Sequence, residues 1–339
     1  MDIKIIGCGG AFSEDGYLFH QSFLISEGGE NLLFDMGKDV WPWAMKKQGL
    51  GVNDIHQVLI THRHDDHIGS LGTFGLKRYN WFEKPIHWKD SKRDYAPTLI
   101  YSMDLQDGLW ESLRGNLETN EGFVGSLETF FKLKPIKENE HWDFHGWDLQ
   151  LVRQVHVMAG NSLMSTHGLF LEKGDHRIFL TGDCQFFQPK QVIWFYNRAT
   201  FIITDNETVG SNFLFQEGTE VYDVTIDGKK VTKLWPTLLE DPDGMKVMEL
   251  MAQDFTPYKW EVLKFSSGVH STYPELAGYP SANATRLAPE IKKKMHLSHY
   301  GDHVPQNKDA FGNDLDWEAQ AKKDGFAGFV KPGQVFHFE

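Results

Sequence analysis

Cysteine is nearly absent from this sequence: Cys8 and Cys184 are the only two in 339 residues. Two thiols build neither a disulfide framework nor a paired-cysteine metal knuckle, so a small cross-linked scaffold and a zinc-finger module are both excluded. Long apolar runs are missing as well, and none approaches the roughly 20 residues that a membrane-spanning helix needs. The opening MDIKIIGCGG has no charged segment leading into an apolar one, so no secretory signal is expected. A soluble protein in a reducing, cytoplasmic compartment, with no membrane partner, is the expectation. Positive charge also falls short, with 34 Lys+Arg against 47 Asp+Glu and a net charge of −13. Broad grip on nucleic acid uses a basic face, because phosphate neutralisation dominates such affinity. A small substrate is therefore expected ahead of RNA.

What is present suffices for a sizeable core: 40% of residues are hydrophobic and 14% aromatic. Ile3 and Ile5, then Ser22–Ser26, Leu32–Asp35 and Gln57–Thr61, read as short strands. A later series covers Leu149–His156, Gly168–Leu171, Arg177–Thr181, Phe201–Asp205, Met295–Ser298 and Val335–Phe338. Helical patterning falls on Val40–Gln48, Gly69–Tyr79, Pro189–Asn197 and Ala282–Lys292. The mixture predicts an α/β fold of packed sheets covered by helices. One domain over 1–339 is expected, with insertions at about 80–147, aromatic-rich and irregular, and about 211–262. The second insertion holds TEVYDVTIDGKKVTKLW, in which Asp227-Gly228 suits a tight hairpin turn.

The chemistry concentrates in Val58-Leu-Ile-Thr-His-Arg-His-Asp-Asp-His-Ile-Gly69. An apolar strand ends at Thr61, and His62, His64, Asp66 and His67 follow before a helical pattern begins. Alternation places His62 and His64 on one side of an extended backbone, and the turn into the helix brings Asp66 and His67 beside them. Imidazoles mixed with carboxylate suit zinc rather than calcium or magnesium. A polar loop would explain any one of these histidines, but not the whole His-x-His-x-Asp-His arrangement.

That motif resembles the hallmark of the metallo-β-lactamase superfamily. Gly7–Gly10 followed by Leu33-Phe-Asp-Met-Gly37 looks like the family's opening glycine turn and buried aspartate. His156 matches the next ligand, Asp183 in Leu180-Thr-Gly-Asp-Cys184 matches the metal-bridging aspartate, and His299 in His296-Leu-Ser-His-Tyr-Gly301 matches the last histidine. Read alone, His156 is equally a strand-end histidine, Asp183 a turn residue or helix cap, and His299 a competitor of His296 and His303. The resemblance implies a four-layer αββα sandwich with two zinc ions, Mn2+ being the alternative, at one edge of the paired sheets. It implies that His62, His64 and His156 hold one ion and Asp66, His67 and His299 the other, while Asp183 bridges both around a shared hydroxide. Zinc lowers the pKa of a bound water from about 15.7 to about 7.

Two further segments resemble the ribonuclease Z branch. Asp205-Asn-Glu-Thr-Val209 is similar to its His-Glu-Ala-Thr segment, and His270-Ser-Thr272 to its His-Ser-Thr segment. The likeness implies that Glu207 orients His270, which protonates the leaving oxygen, so Asp66, Glu207 and His270 are the catalytic candidates. The sequence departs from the pattern at Asn206, which stands where the motif has histidine. The 211–262 segment carries ten Asp/Glu against five Lys/Arg, a poor grip for a polyanion. The basic run Lys77–Arg93 (Lys77, Arg78, Lys84, Lys89, Lys92, Arg93) reads as a solvated face or a phosphate-steering patch. Phosphodiesterase machinery without an RNA grip resembles the anti-Pycsar proteins of bacteriophages and their bacterial relatives. That likeness implies hydrolysis of cyclic mononucleotides such as 3′,5′-cyclic CMP and UMP, countering a cyclic-nucleotide immune signal, in the host cytoplasm if phage-encoded, and a homodimer. Tyr273, Tyr279 and Tyr300 offer rings for base stacking, though core packing explains each equally well. The competing readings are a ribonuclease Z-like RNA endonuclease, a lactonase or β-lactamase, and a noncatalytic metal-binding protein.

Overall fold

The structure, a computed structural model, describes all residues except 15, 81–95, 121, 160–161, 186–189, 207–220, 227–228, 235–269, 278–286 and 309–312. The chain forms two compact units, one of Met1–Leu151, Leu171–His176 and Val330–Glu339, the other of Val152–Phe170 and Arg177–Phe329.

In the first unit, seven short strands make one mixed sheet in the order Val335–His337, Asp2–Gly7, Ser22–Glu27, Glu30–Phe34, Gln57–Ile60, Thr98–Ser102, Lys132–Ile136. The first four are antiparallel and the last four run parallel. The switch has a local cause. Gly28 and Gly29, both at positive φ, make the two-residue turn that folds Ser22–Glu27 back onto Glu30–Phe34. Parallel neighbours need longer crossovers, and helices supply them. Leu33, Val58, Ile60, Leu99 and Tyr101 are fully buried from the sheet, and Phe74, Leu109, Leu113 and Leu117 join them from the helices Leu71–Asn80 and Gln106–Leu117.

Thr98–Ser102 and Gln106–Leu117 lie inside the stretch that the sequence marks as irregular. The strand is only five residues long. The helix carries its apolar stripe at a spacing of four, interrupted by Gly108 and Gly115, which weakens the pattern. The region Val40–Gln48 is helical but broken at Trp41, whose φ of −107° and ψ of 128° are extended because Pro42 follows. Because Glu30–Phe34 and Gln57–Ile60 are parallel, Asp35 and Thr61 leave the same sheet edge side by side.

In the second unit, Ile178–Leu180 pair in parallel with Phe201–Ile203, Phe201–Asp205 with Met295–Ser298, and that strand with Gly328–Phe329. Parallel pairing again brings the following residues, Thr181, Asn206 and His299, to one edge, where α/β folds place their ligands. The helix Lys190–Arg198 packs Phe195 and Tyr196 against Phe179. The helix expected over Ala282–Lys292 begins only at Pro289: Ala288 is extended, since the residue before proline disfavours the helical region, and 278–286 lie outside the described residues. The hairpin read around Asp227-Gly228 has strands Val221–Ile226 and Lys229–Leu234, paired antiparallel in register. Its turn and the rest of 211–262 lie outside the described residues, as do Trp81, Trp88 and the Lys84–Arg93 portion of the basic run. Among the described residues no helix is long and apolar enough to cross a membrane.

His296 gives this unit a pH signature. Its ring lies against Phe201 with centroids 4.7 Å apart, and burial lowers its pKa from 6.5 to about 4. A histidine buried neutral contributes nothing above its unfolded pKa, and it destabilises the fold as pH drops through the window from about 6.5 to about 4, where only the unfolded chain takes up the proton. The loss is on the order of 3 kcal/mol. Urea unfolding at pH 7 and pH 4.5 should therefore show a smaller acid loss in His296→Gln than in the parent. Equal losses in both proteins would remove His296 as the cause.

Candidate metal centre

The His-x-His-x-Asp-His segment is held in place by one buried carboxylate. Asp35, fully buried at φ 61°, accepts Thr61 N–H on Oδ1 and the Thr61 hydroxyl on Oδ2, each at 2.8 Å. Its Oδ2 also lies 2.7 Å from His67 Nδ1. Burial pushes the Asp35 carboxyl up, against the opposing pull of His67 and Thr61. With its hydrogen donated to Asp35, the Thr61 oxygen is an acceptor for His62 Nδ1–H at 2.9 Å. Both imidazoles are thus fixed with Nδ1 protonated and Nε2 carrying a lone pair.

These lone pairs face other donor atoms. His62 Nε2 lies 3.0 Å from His64 Nδ1, and His67 Nε2 lies 3.2 Å from Asp66 Oδ2. A lone pair set against a carboxylate at that distance is repulsive unless a proton or a cation lies between them. His62 and His67 are fully buried and their rings pack at 4.1 Å. His64 opens the short helix Asp65–Ile68 that carries Asp66 and His67. His62 with His64 and Asp66 with His67 form two donor pairs of the nitrogen and oxygen chemistry that divalent zinc takes.

The second unit gathers a separate set. His156 follows the strand Trp147–Gln154, and Gln185 ties the 183–185 loop to it, donating its side-chain amide to His156 O and its N–H to Val155 O, both at 2.7 Å. Gly182, at φ 64°, makes the turn that directs Asp183 inward. Asp183 is fully buried, with Oδ2 3.7 Å from His156 Nε2 and 3.8 Å from His270 Nδ1, and Oδ1 3.4 Å from His299 Nε2. Of the three competing histidines, His299 is the one at Asp183; His296 lies on Phe201 and His303 on Trp317. Donor atoms of Asp183, Asp205, His270 and His299 all lie within 4.8 Å of one another.

Asp205, which the sequence reading places at a strand end and at the head of the segment likened to His-Glu-Ala-Thr without giving it a role, joins this set. It is buried, and its Oδ2 sits 2.9 Å from His270 Nδ1 and accepts Cys184 N–H at 2.8 Å. Its Oδ1 faces His299 Nδ1 at 3.4 Å. Burial alone would raise the Asp205 carboxyl, but the His270 and His299 rings hold it below the usual carboxylate range. Burial alone would depress His270, but Asp205 and then Asp183 raise it above the ordinary histidine value. The signal for Asp205 was a carboxylate straight after the apolar run Phe201–Thr204. Glu207, expected to orient His270, lies outside the described residues. Cys184 is no nucleophile: burial, then Asp205, pushes its thiol up to about 12. Tyr273 and Tyr300 are buried against Phe329, Tyr273 also against Trp317, so core packing accounts for both; Tyr279 lies outside the described residues.

Three solved structures share this fold. The chain superposes on the metallo-β-lactamase fold protein YhfI of Bacillus subtilis with a TM-score of 0.55 at 13% identity, covering 99% of this chain and 98% of that one. Human tRNase Z, short form, gives 0.54 at 13% identity with full coverage of both chains, and zinc-bound PqqB of Methylobacterium extorquens 0.56 at 12%, also with full coverage. The architecture is the metallo-β-lactamase fold. Among sequences, the anti-Pycsar protein Apyc1 of Bacillus phage vB_BsuM-Goe3 is 25% identical over 313 residues, 90% of either chain. Apyc1 of Saccharibacillus brassicae is 31% identical over 137 residues, 40% of this chain and 50% of that one, so this chain spans about half the length of some of the relatives it matches. The family model for anti-Pycsar protein Apyc1 matches residues 1–235, a span that includes the histidine motif, His156, Asp183 and Asp205, and on that match this chain belongs to the Apyc1 family.

Proposed function

We propose that this protein is a metal-dependent phosphodiesterase that opens small cyclic nucleotides, 3′,5′-cyclic CMP and UMP foremost, on a pair of zinc ions. The observation that carries this reading is His270, an imidazole held by Asp205 at 2.9 Å and raised in pKa, 3.8 Å from the carboxylate of Asp183. With 16% of its side chain exposed, it alone in that cluster of otherwise buried groups meets solvent. A proton donor that substrate can reach, beside metal-ligand chemistry, suits departure of an alkoxide. Lactams and lactones opened by metal alone need no such group. The family name and the acidic composition favour a small nucleotide over RNA.

In this reading His62, His64 and His156 would hold one ion and Asp66, His67 and His299 the other, with Asp183 available to both. The ions would supply Lewis acidity at the phosphoryl oxygens and lower the pKa of the attacking water. Asp35 and Thr61 keep the Nε2 atoms of His62 and His67 free to ligate. His270, engaged through Nδ1, holds its transferable proton at Nε2. As water adds to phosphorus and the ring P–O bond breaks, that proton passes to the leaving ribose oxygen and yields the linear monophosphate.

Incubation of the purified protein with 3′,5′-cyclic CMP, UMP, AMP and GMP in zinc- or manganese-supplemented buffer tests this directly. Linear monophosphates, formed fastest from the pyrimidine substrates, are expected. Intact cyclic nucleotides alongside cleaved precursor transfer RNA, with steep loss of cleavage as salt rises, would replace the proposal with an RNA endonuclease.

A further inference from the structure

We infer that Asp205 is a positioning residue that serves both histidines at once, fixing His270 as proton donor through Oδ2 and His299 as metal ligand through Oδ1. The role given to His270 rests on the phosphodiesterase reading above; the role given to His299 does not. The geometry is that of one carboxylate between two rings. His270 Nδ1 lies 2.9 Å from Oδ2 and His299 Nδ1 lies 3.4 Å from Oδ1, while the two rings stack with centroids 4.7 Å apart and planes 25° from parallel.

A carboxylate facing Nδ1 selects the tautomer with hydrogen on that nitrogen. For His299 this leaves the Nε2 lone pair toward Asp183, 3.4 Å away. For His270 it assigns the proton exchanged with substrate to Nε2. The two rings need opposite states of the same atom: Nε2 of His299 must be bare to ligate, and Nε2 of His270 must be protonated to donate. One buried anion serves both, because its two oxygens face the Nδ1 atoms of two different rings.

Asp205 is itself anchored. Thr181 Oγ1 accepts its N–H at 3.1 Å, and Cys184 N–H donates to Oδ2 at 2.8 Å. The same carboxylate therefore ties the loop bearing Asp183 to both histidines. A purely structural role, holding the Cys184 N–H, is the competing explanation, and the two differ in what an isosteric amide does. Asn at 205 can still accept Cys184 N–H and His270 Nδ1–H through one oxygen, but it carries no charge and turns an N–H toward His299, whose Nδ1 hydrogen it does not match.

The test compares Asp205→Asn and Asp205→Glu with the parent by two readouts. Zinc affinity, measured by competition with a chromophoric chelator, is expected to fall ~10–100-fold in Asp205→Asn, the usual cost of losing a carboxylate behind a ligand histidine. At saturating zinc, turnover of cyclic CMP is expected to fall ~100-fold with KM within a few-fold. Turnover of bis(4-nitrophenyl) phosphate, whose leaving phenolate needs no proton, should fall far less. Asp205→Glu should restore part of both losses. Unchanged zinc affinity, or equal losses on the two substrates, would overturn the inference, and thermal melts separate either outcome from misfolding. If the parent itself leaves cyclic CMP intact, the phosphodiesterase reading fails, and the zinc measurement alone then decides the role of Asp205.

Discussion

Asp183→Ala is expected to abolish hydrolysis and to strip the protein of both zinc ions, whereas His64→Ala should lose one. Asp183 is fully buried, with three imidazoles within 3.8 Å of its two oxygens. In the proposed centre this carboxylate is a ligand alongside His156 and His299, and its removal takes away the charge that would offset both ions. In the proposed mechanism phosphodiester cleavage relies on cations for several kcal/mol of transition-state stabilisation, so the activity should drop by about 10³-fold or more. Metal analysis of dialysed protein checks the first half of the claim and cyclic CMP turnover the second. The parent should retain two zinc ions per chain, His64→Ala about one and Asp183→Ala close to none. Two ions retained by Asp183→Ala would place the bridging role elsewhere.

The legibility of this centre in the sequence followed the range of the interactions involved. His62, His64, Asp66 and His67 are local: strand alternation and one turn of helix decide where they go, so spacing alone predicts a cluster. His156, Asp183 and His299 are each separated by many residues, and their assignment needed a family likeness; the structure of the second unit then distinguished His299 from His296 and His303 by what each ring touches. Asp35 was recognisable as a buried aspartate, yet its work, fixing the tautomers of His62 and His67 through Thr61, is a hydrogen-bond chain that no spacing encodes. Asp205 was missed for a similar reason. Its partners lie 65 residues away at His270 and on the neighbouring strand's end at His299. Parallel pairing of Phe201–Asp205 with Met295–Ser298 brings the latter close. In the fold, strands with strong alternation were legible from Asp2–Gly7 onward. Thr98–Ser102 was not, because five residues, even with Pro97 just before them, resemble any short apolar patch in an aromatic-rich stretch.

His270→Ala should separate chemistry from metal binding most cleanly. His270 carries the proton for the leaving oxygen in the proposed mechanism and is not among the seven proposed ligands, so zinc content should match the parent while kcat on cyclic CMP falls ~10²–10⁴-fold. The pH profile supplies an independent check. Burial disfavours the imidazolium, but Asp205 and then Asp183 more than compensate and raise its pKa. A raised pKa keeps His270 protonated past the ordinary histidine range of about 6.5. Turnover by the parent should hold through that range and decline as pH rises past the shifted value, and His270→Ala should lack this alkaline limb. The same shift stabilises the fold: the contribution is fully present below the unfolded pKa and is lost as pH rises through the folded one. Added imidazole at pH 7 should restore part of the turnover of His270→Ala, since a small diffusible acid can enter the space left by a partly exposed side chain. Full activity in His270→Ala on cyclic CMP would refute the proton-donor role, and loss of zinc from it would make His270 a ligand instead.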